Sequence, residues 1–111
     1  MSFLRLTAVS LVLAFSSMAP LFAAEQNPTL VIRNHRFEPE ELMVPAGQKF
    51  KLIVRNEDAT PEEFESKTLK REKVVKGHGE IVINLGPLEA ATYDFVGEFH
   101  EATAKGRLVV R

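Results

Sequence analysis

The chain has 111 residues, with 14 Lys and Arg against 15 Asp and Glu, three His and a formal net charge of −1. That balance excludes a strongly basic nucleic-acid surface and a binder of anionic membranes. Cysteine is absent, which excludes disulfides and thiolate metal ligands, so a small domain of this kind depends on its apolar core and on any ion it binds.

Residues 1–24 read as a secretory signal peptide. Arg5 precedes an apolar stretch from Leu6 to Phe15, and Ser16, Ser17 and Pro20 lead to the small residues Ala23 and Ala24. The apolar core is too short to span a bilayer, and the cleavage bond is open between the two alanines. An uncleaved N-terminal anchor is the alternative. The domain over 25–111 is then about 87 residues with a net charge of about −2, enough for one small domain.

Along that domain the apolar pattern repeats every second residue. TLVIR (29–33) and ELMV (41–44) are shorter and more uniformly apolar than the runs that follow. QKFKLIVRN (48–56) puts Phe50, Leu52 and Val54 on one face and Lys49, Lys51 and Arg55 on the other. EFESKTLKREKVV (63–75) is open to two readings: two strands around an irregular excursion, or a segment with a helical turn. EIVINL (80–85) groups Ile81, Ile83 and Leu85, TYDFV (92–96) groups Tyr93 and Phe95, and RLVVR closes the chain with Leu108 and Val110. Turn signals at Pro45-Ala46-Gly47, Gly77-His78-Gly79, Gly86-Pro87 and Lys105-Gly106 separate the runs, as in an all-β sandwich or small barrel. Met43, Phe50, Tyr93 and Phe95 read as core.

One stretch asks for chemistry. In TPEEFES (60–66) Glu63 and Glu65 flank Phe64, and in a strand residues two apart face the same side. Phe64 inserts into the core and turns both carboxylates outward or toward the rim. Two such carboxylates repel, and one holds its proton unless a cation lies near, which is the physical case for a metal. A solvated strand end is the plainer alternative.

Taken together, these segments resemble the cupredoxin superfamily. FEPEELMVPAGQKFKLIVRN resembles its opening, with F-x-P, a short strand, a glycine turn and a strand ending in Asn. TYDFVGEFHEATAKGRLVV resembles its final hairpin. The E-x-E spacing of TPEEFES is most similar to EfeO-type cupredoxin-like domains and to the small periplasmic proteins that accompany bacterial iron permeases. The resemblance implies a Greek-key β-sandwich with a metal site at one end. It also carries departures: Glu62 or Glu63 falls where the first copper-binding His would be, Gly97 where the Cys would be, and Ala104 where the Met would be, while His100 is kept. A blue-copper centre needs a copper–thiolate bond, so that reading is closed.

Chain direction implies what replaces it. Counting from strand 29–33, the connections 34–40, 56–63, 76–80 and 97–105 share an end. They hold His35, His78 and His100 and hold or adjoin Glu63, Glu65, Glu98 and Glu101. The expected metal ligands are Glu63, Glu65, His35, Glu98 and His100, with His78 and Glu72 as further candidates. Imidazole and carboxylate suit Fe(II), Mn(II), Zn(II) or Cu(II), and carboxylates favour Fe(III) over Fe(II). The resemblance thus implies a periplasmic protein of iron uptake that binds Fe(II), with copper as a candidate second ion. Its role would be to assist oxidation in a ferroxidase-like step and to pass iron to an inner-membrane permease and associated periplasmic proteins. A metal-delivery module and a metal-free interaction module are the alternatives. Hydrolase and transferase signatures are absent, and no nucleic-acid partner is expected.

Overall fold

The computed structural model describes residues 27–111, so the signal-peptide reading lies outside the described residues. Nine strands and one 3₁₀ turn follow in order: β1 Thr29–Arg33, β2 Arg36–Glu38, β3 Glu41–Val44, β4 Phe50–Asn56, β5 Glu62–Ser66, β6 Arg71–Val75, β7 Glu80–Leu85, β8 Ala91–Gly97, η1 Glu98–His100 and β9 Lys105–Val110. They form two sheets, ordered β2-β1-β4-β7 and β3-β9-β8-β5-β6. Both sheets are mixed, because β1 runs parallel to β4 and β3 parallel to β9. The all-β sandwich expected from the two-residue period is the fold that forms.

Alternation decides what fills the space between the sheets. Phe50, Leu52 and Val54 of β4 are buried, while Lys49, Lys51 and Arg55 stay outside. Phe37 from the first sheet meets Phe64 and Phe95 from the second, edge-on to both, with ring centroids 6.3 and 5.0 Å away. Burying each such side chain is worth about 1.5–3 kcal/mol. Tyr93 packs against this core from a half-buried position, and its hydroxyl donates to the Glu89 carbonyl at 2.9 Å. Met43 corrects the sequence reading: it is 46% exposed, because Leu42 and Val44 take the inward positions of β3 and leave it the outer face.

The ambiguous stretch 63–75 is a hairpin. β5 and β6 pair antiparallel from Glu62 opposite Val75 to Ser66 opposite Arg71. Buried Leu69 holds the turn between them, and its amide donates to Ser66 Oγ at 3.2 Å. The alternation of β5 then sends Glu62, Phe64 and Ser66 inward and Glu63 and Glu65 outward.

Candidate metal centre

Four connections meet at one end of the sandwich, and Asn56 is their pivot. Buried at the end of β4, its side-chain amide donates to the carbonyls of Thr60 (2.8 Å) and Val75 (3.3 Å), and its Oδ1 accepts the Asp58 amide. The Asp58 carboxylate in turn accepts the amides of Asn34 and His35 at 2.8 and 2.9 Å. Burial opposes the Asp58 charge, but those two donations, with His35 and His100 nearby, hold its carboxyl below the ordinary range. Asn34 and His35 both have positive φ, so the β1–β2 turn is tight and His35 stands at its tip. The 76–79 turn joins through His78, whose amide donates to the Asp58 carbonyl at 2.9 Å. Gly77 is required there, since a Cβ would lie 2.0 Å from the Ala59 carbonyl oxygen. The segment after β8 completes the rim: Thr103 Oγ1 donates to the His35 carbonyl, and the His100 ring stacks on His35 with centroids 3.5 Å apart.

Inside this rim lies Glu62, only 1% exposed. Its Oε1 accepts the amides of Glu63 (3.0 Å) and Phe99 (2.9 Å), and its Oε2 lies 2.5 Å from His100 Nδ1. A carboxylate only accepts, so Nδ1 carries the hydrogen of that bond. The carboxyl group occupies space that Gly97 leaves open, for a Cβ on Gly97 would stand 2.7 Å from Glu62 Cδ and 2.6 Å from the Ala104 Cβ.

A second constellation lies on the outer side of β5. Oxygens of Glu63 (β5), Glu72 (β6) and Glu98 (η1) all fall within 4.8 Å of one another. The hydrogen bond and charge of Glu72, with loss of water and the neighbouring Glu98, push the Glu63 carboxyl up to about 7. Glu65, paired directly across from Glu72, is also raised, by loss of water first and then by Glu98 and Glu72, against the opposing charge of Lys67. Three carboxylates placed this close offer oxygen donors to one cation.

The predicted ligand set therefore divides along β5. Glu63 and Glu98 come together with Glu72, and Glu65 stands beside them; His35 and His100 come together on the inner side with Glu62. Stacked at an interplanar angle of 11°, the two imidazoles direct their in-plane lone pairs side by side rather than toward a common point. Glu62 is the residue that sequence reasoning left undecided between two neighbours. Counting outward from Phe64 places it inward, a signal the sequence contains.

A cupredoxin-like domain family matches residues 5–110. The chain belongs to that family. The cupredoxin-like chain is 44% identical over 81 residues to protein RP394 of Rickettsia prowazekii, covering 73% of this chain and 65% of that protein's length. Among solved structures, the fold is similar to auracyanin A, a "blue" copper protein of Chloroflexus aurantiacus, with a TM-score of 0.66, 16% identity and coverage of 77% and 98% of the two chains. It is similar also to the purple cupredoxin of Nitrosopumilus maritimus (TM-score 0.60, 17% identity, 76% and 99% covered). A third neighbour is the amicyanin of Paracoccus versutus (TM-score 0.61, 16% identity, 77% and 81% covered). These likenesses establish the fold. They do not bring a blue-copper centre with them, because that centre is built on a Cys and two His. The cupredoxin-like chain has no Cys, and Glu62 fills the space beside Gly97 where such a side chain would project.

Proposed function

We propose that this cupredoxin-like chain is an exported protein that binds a hard divalent cation, Fe(II) foremost, on Glu63, Glu72 and Glu98 with Glu65 alongside. The observation that carries the reading is the approach of three carboxylates from three separate elements to within 4.8 Å. Carboxylates this close repel, and the rise of the Glu63 carboxyl to about 7, caused first by Glu72, marks a repulsion that a bound cation would relieve. An all-oxygen donor set suits Fe, Mn, Ca or Mg and disfavours Cu(I). It also binds Fe(III) more tightly than Fe(II), which lowers the potential of bound iron and favours its oxidation.

The resemblance to periplasmic proteins of iron-permease systems selects iron among these cations and supplies a permease as the partner that receives it. A delivery module without redox turnover is the second reading; the absence of any thiolate or convergent imidazole pair for a copper electron acceptor favours it. Anaerobic titration with Fe(II) tests the site: one equivalent is expected to bind the native chain and not a Glu63→Gln, Glu98→Gln double variant. Equal uptake by both removes the assignment. Oxygen consumption on adding Fe(II) then separates oxidation from delivery.

A further inference from the structure

The acidic cluster poses a mechanical problem. Glu98 sits on η1, a single 3₁₀ turn of three residues with no buried residue and no side-chain cap at its start. Such a turn is marginal by itself. Its residue Phe99 is 49% exposed, so no apolar anchor holds it down. The charges of Glu98 and Glu72 both bear on Glu63, so the carboxylates of the cluster tend to drive η1 and β5 apart.

What crosses from β5 to η1 is the carboxylate of Glu62. An ionised carboxylate buried to this degree is costly unless its oxygens are matched by donors. Two of its three donors, the Phe99 amide and His100 Nδ1–H, belong to η1, and the third is the adjacent amide of Glu63. The bond to His100 fixes the far end of η1, which the stack on His35 and the Ala104 amide bond to the His100 carbonyl (2.8 Å) then complete. One buried side chain therefore binds the backbone of Glu63 and the two residues that follow Glu98.

We propose that Glu62 is the positioning residue of the acidic cluster: its buried carboxylate pins η1 against β5 and holds Glu98 beside Glu63 and Glu72. The pinning is independent of any ion; its consequence for affinity rests on the cation reading above. Amide hydrogen exchange at Phe99 and Mn(II) affinity, read from the signal of free Mn(II) in paramagnetic resonance, test it on the native chain, Glu62→Gln and Glu62→Ala. Gln keeps an oxygen for the Phe99 and Glu63 amides, and its amide N–H can donate to His100 Nδ1 once the imidazole moves its hydrogen to Nε2. Protection at Phe99 and Mn(II) affinity within about twofold of native are expected for Gln, whereas Ala is expected to speed Phe99 exchange and weaken Mn(II) about tenfold. Should Glu62→Ala fail to fold, His100→Ala carries the test at a partly exposed residue, and faster Phe99 exchange is again expected.

Native exchange at Phe99 in Glu62→Ala, or in His100→Ala where that variant stands in for it, overturns the proposal. Loss in Gln equal to that in Ala overturns it too. If Glu63→Gln loses Mn(II) and Glu62→Ala does not, the cation site stands and the positioning role falls. If the native chain takes up no Mn(II), the cation reading fails, and Phe99 exchange alone decides whether Glu62 pins η1.

Discussion

Phe64 governs the chemistry on both sides of β5. Because its ring is fully buried, strand alternation gives Glu63 and Glu65 one face and Glu62 the other. The outward pair was legible in E-x-E, and the crowding that follows has a measurable sign. A carboxyl whose pKa is raised on folding, as Glu63 is from 4.5 to about 7, binds its proton more tightly in the folded chain. It therefore contributes stability below about pH 4.5, and that contribution is lost as the pH rises through about 7. In cation-free protein the melting temperature is expected to carry a downward component over this range. Glu63→Gln should flatten it, which melting curves of the two proteins at successive pH values would check. Glu72 is the first cause of the rise at Glu63, so Glu72→Gln is expected to reduce the same slope. The inward carboxylate was harder to see. Sequence habit reads Glu as solvated, and only the partners that the fold brings from η1 make burial of Glu62 tolerable.

At the scale of elements, the segment between β8 and β9 does most to shape the rim. Gly97 pairs with Phe64, its amide donates to the Ala104 carbonyl at 2.9 Å, and Glu62 presses against its missing side chain. A Gly97→Ala change puts a methyl group 2.6 Å from the Ala104 Cβ, and that atom is fixed to backbone that cannot rotate away. The expected cost is about 1–3 kcal/mol, read as a lower denaturation midpoint at unchanged slope. Strand positions were mostly legible, since the two-residue period of 50–56, 80–85 and 92–96 is that of β4, β7 and β8. At 63–75 the two-strand reading is the one that forms, but the helical alternative stayed open because the turn, KTLK, lacks glycine and proline and rests on Leu69 finding the core. Met43 failed for the complementary reason: three apolar residues in a row, Leu42 to Val44, hide the alternation, and only exposed Glu41, two residues before Met43, marks the outer face of β3.

The gathering of four loops at one end is a property of the whole molecule, and chain direction foretold it. β1 and β4 run parallel, so both end at the same rim, and His35, Asp58, His78 and His100 arrive there from separate connections. Direction alone did not reveal that β5 would divide the expected donors into an inner imidazole pair and an outer carboxylate cluster. This division makes a global prediction. A cation bound only by the folded chain stabilises it by about 2.7 kcal/mol at 100 times its dissociation constant, which for a domain of this size raises the melting temperature by roughly 10–20 °C. Mn(II) is expected to produce such a rise at pH 8, a chelator to abolish it, and Glu63→Gln to remove most of it. Near pH 5 the rise should shrink in the native chain, because the ion must then displace the proton that the cluster holds up to about pH 7. A shift of equal size at both pH values, or one that survives in Glu63→Gln, would place the ion elsewhere on the molecule.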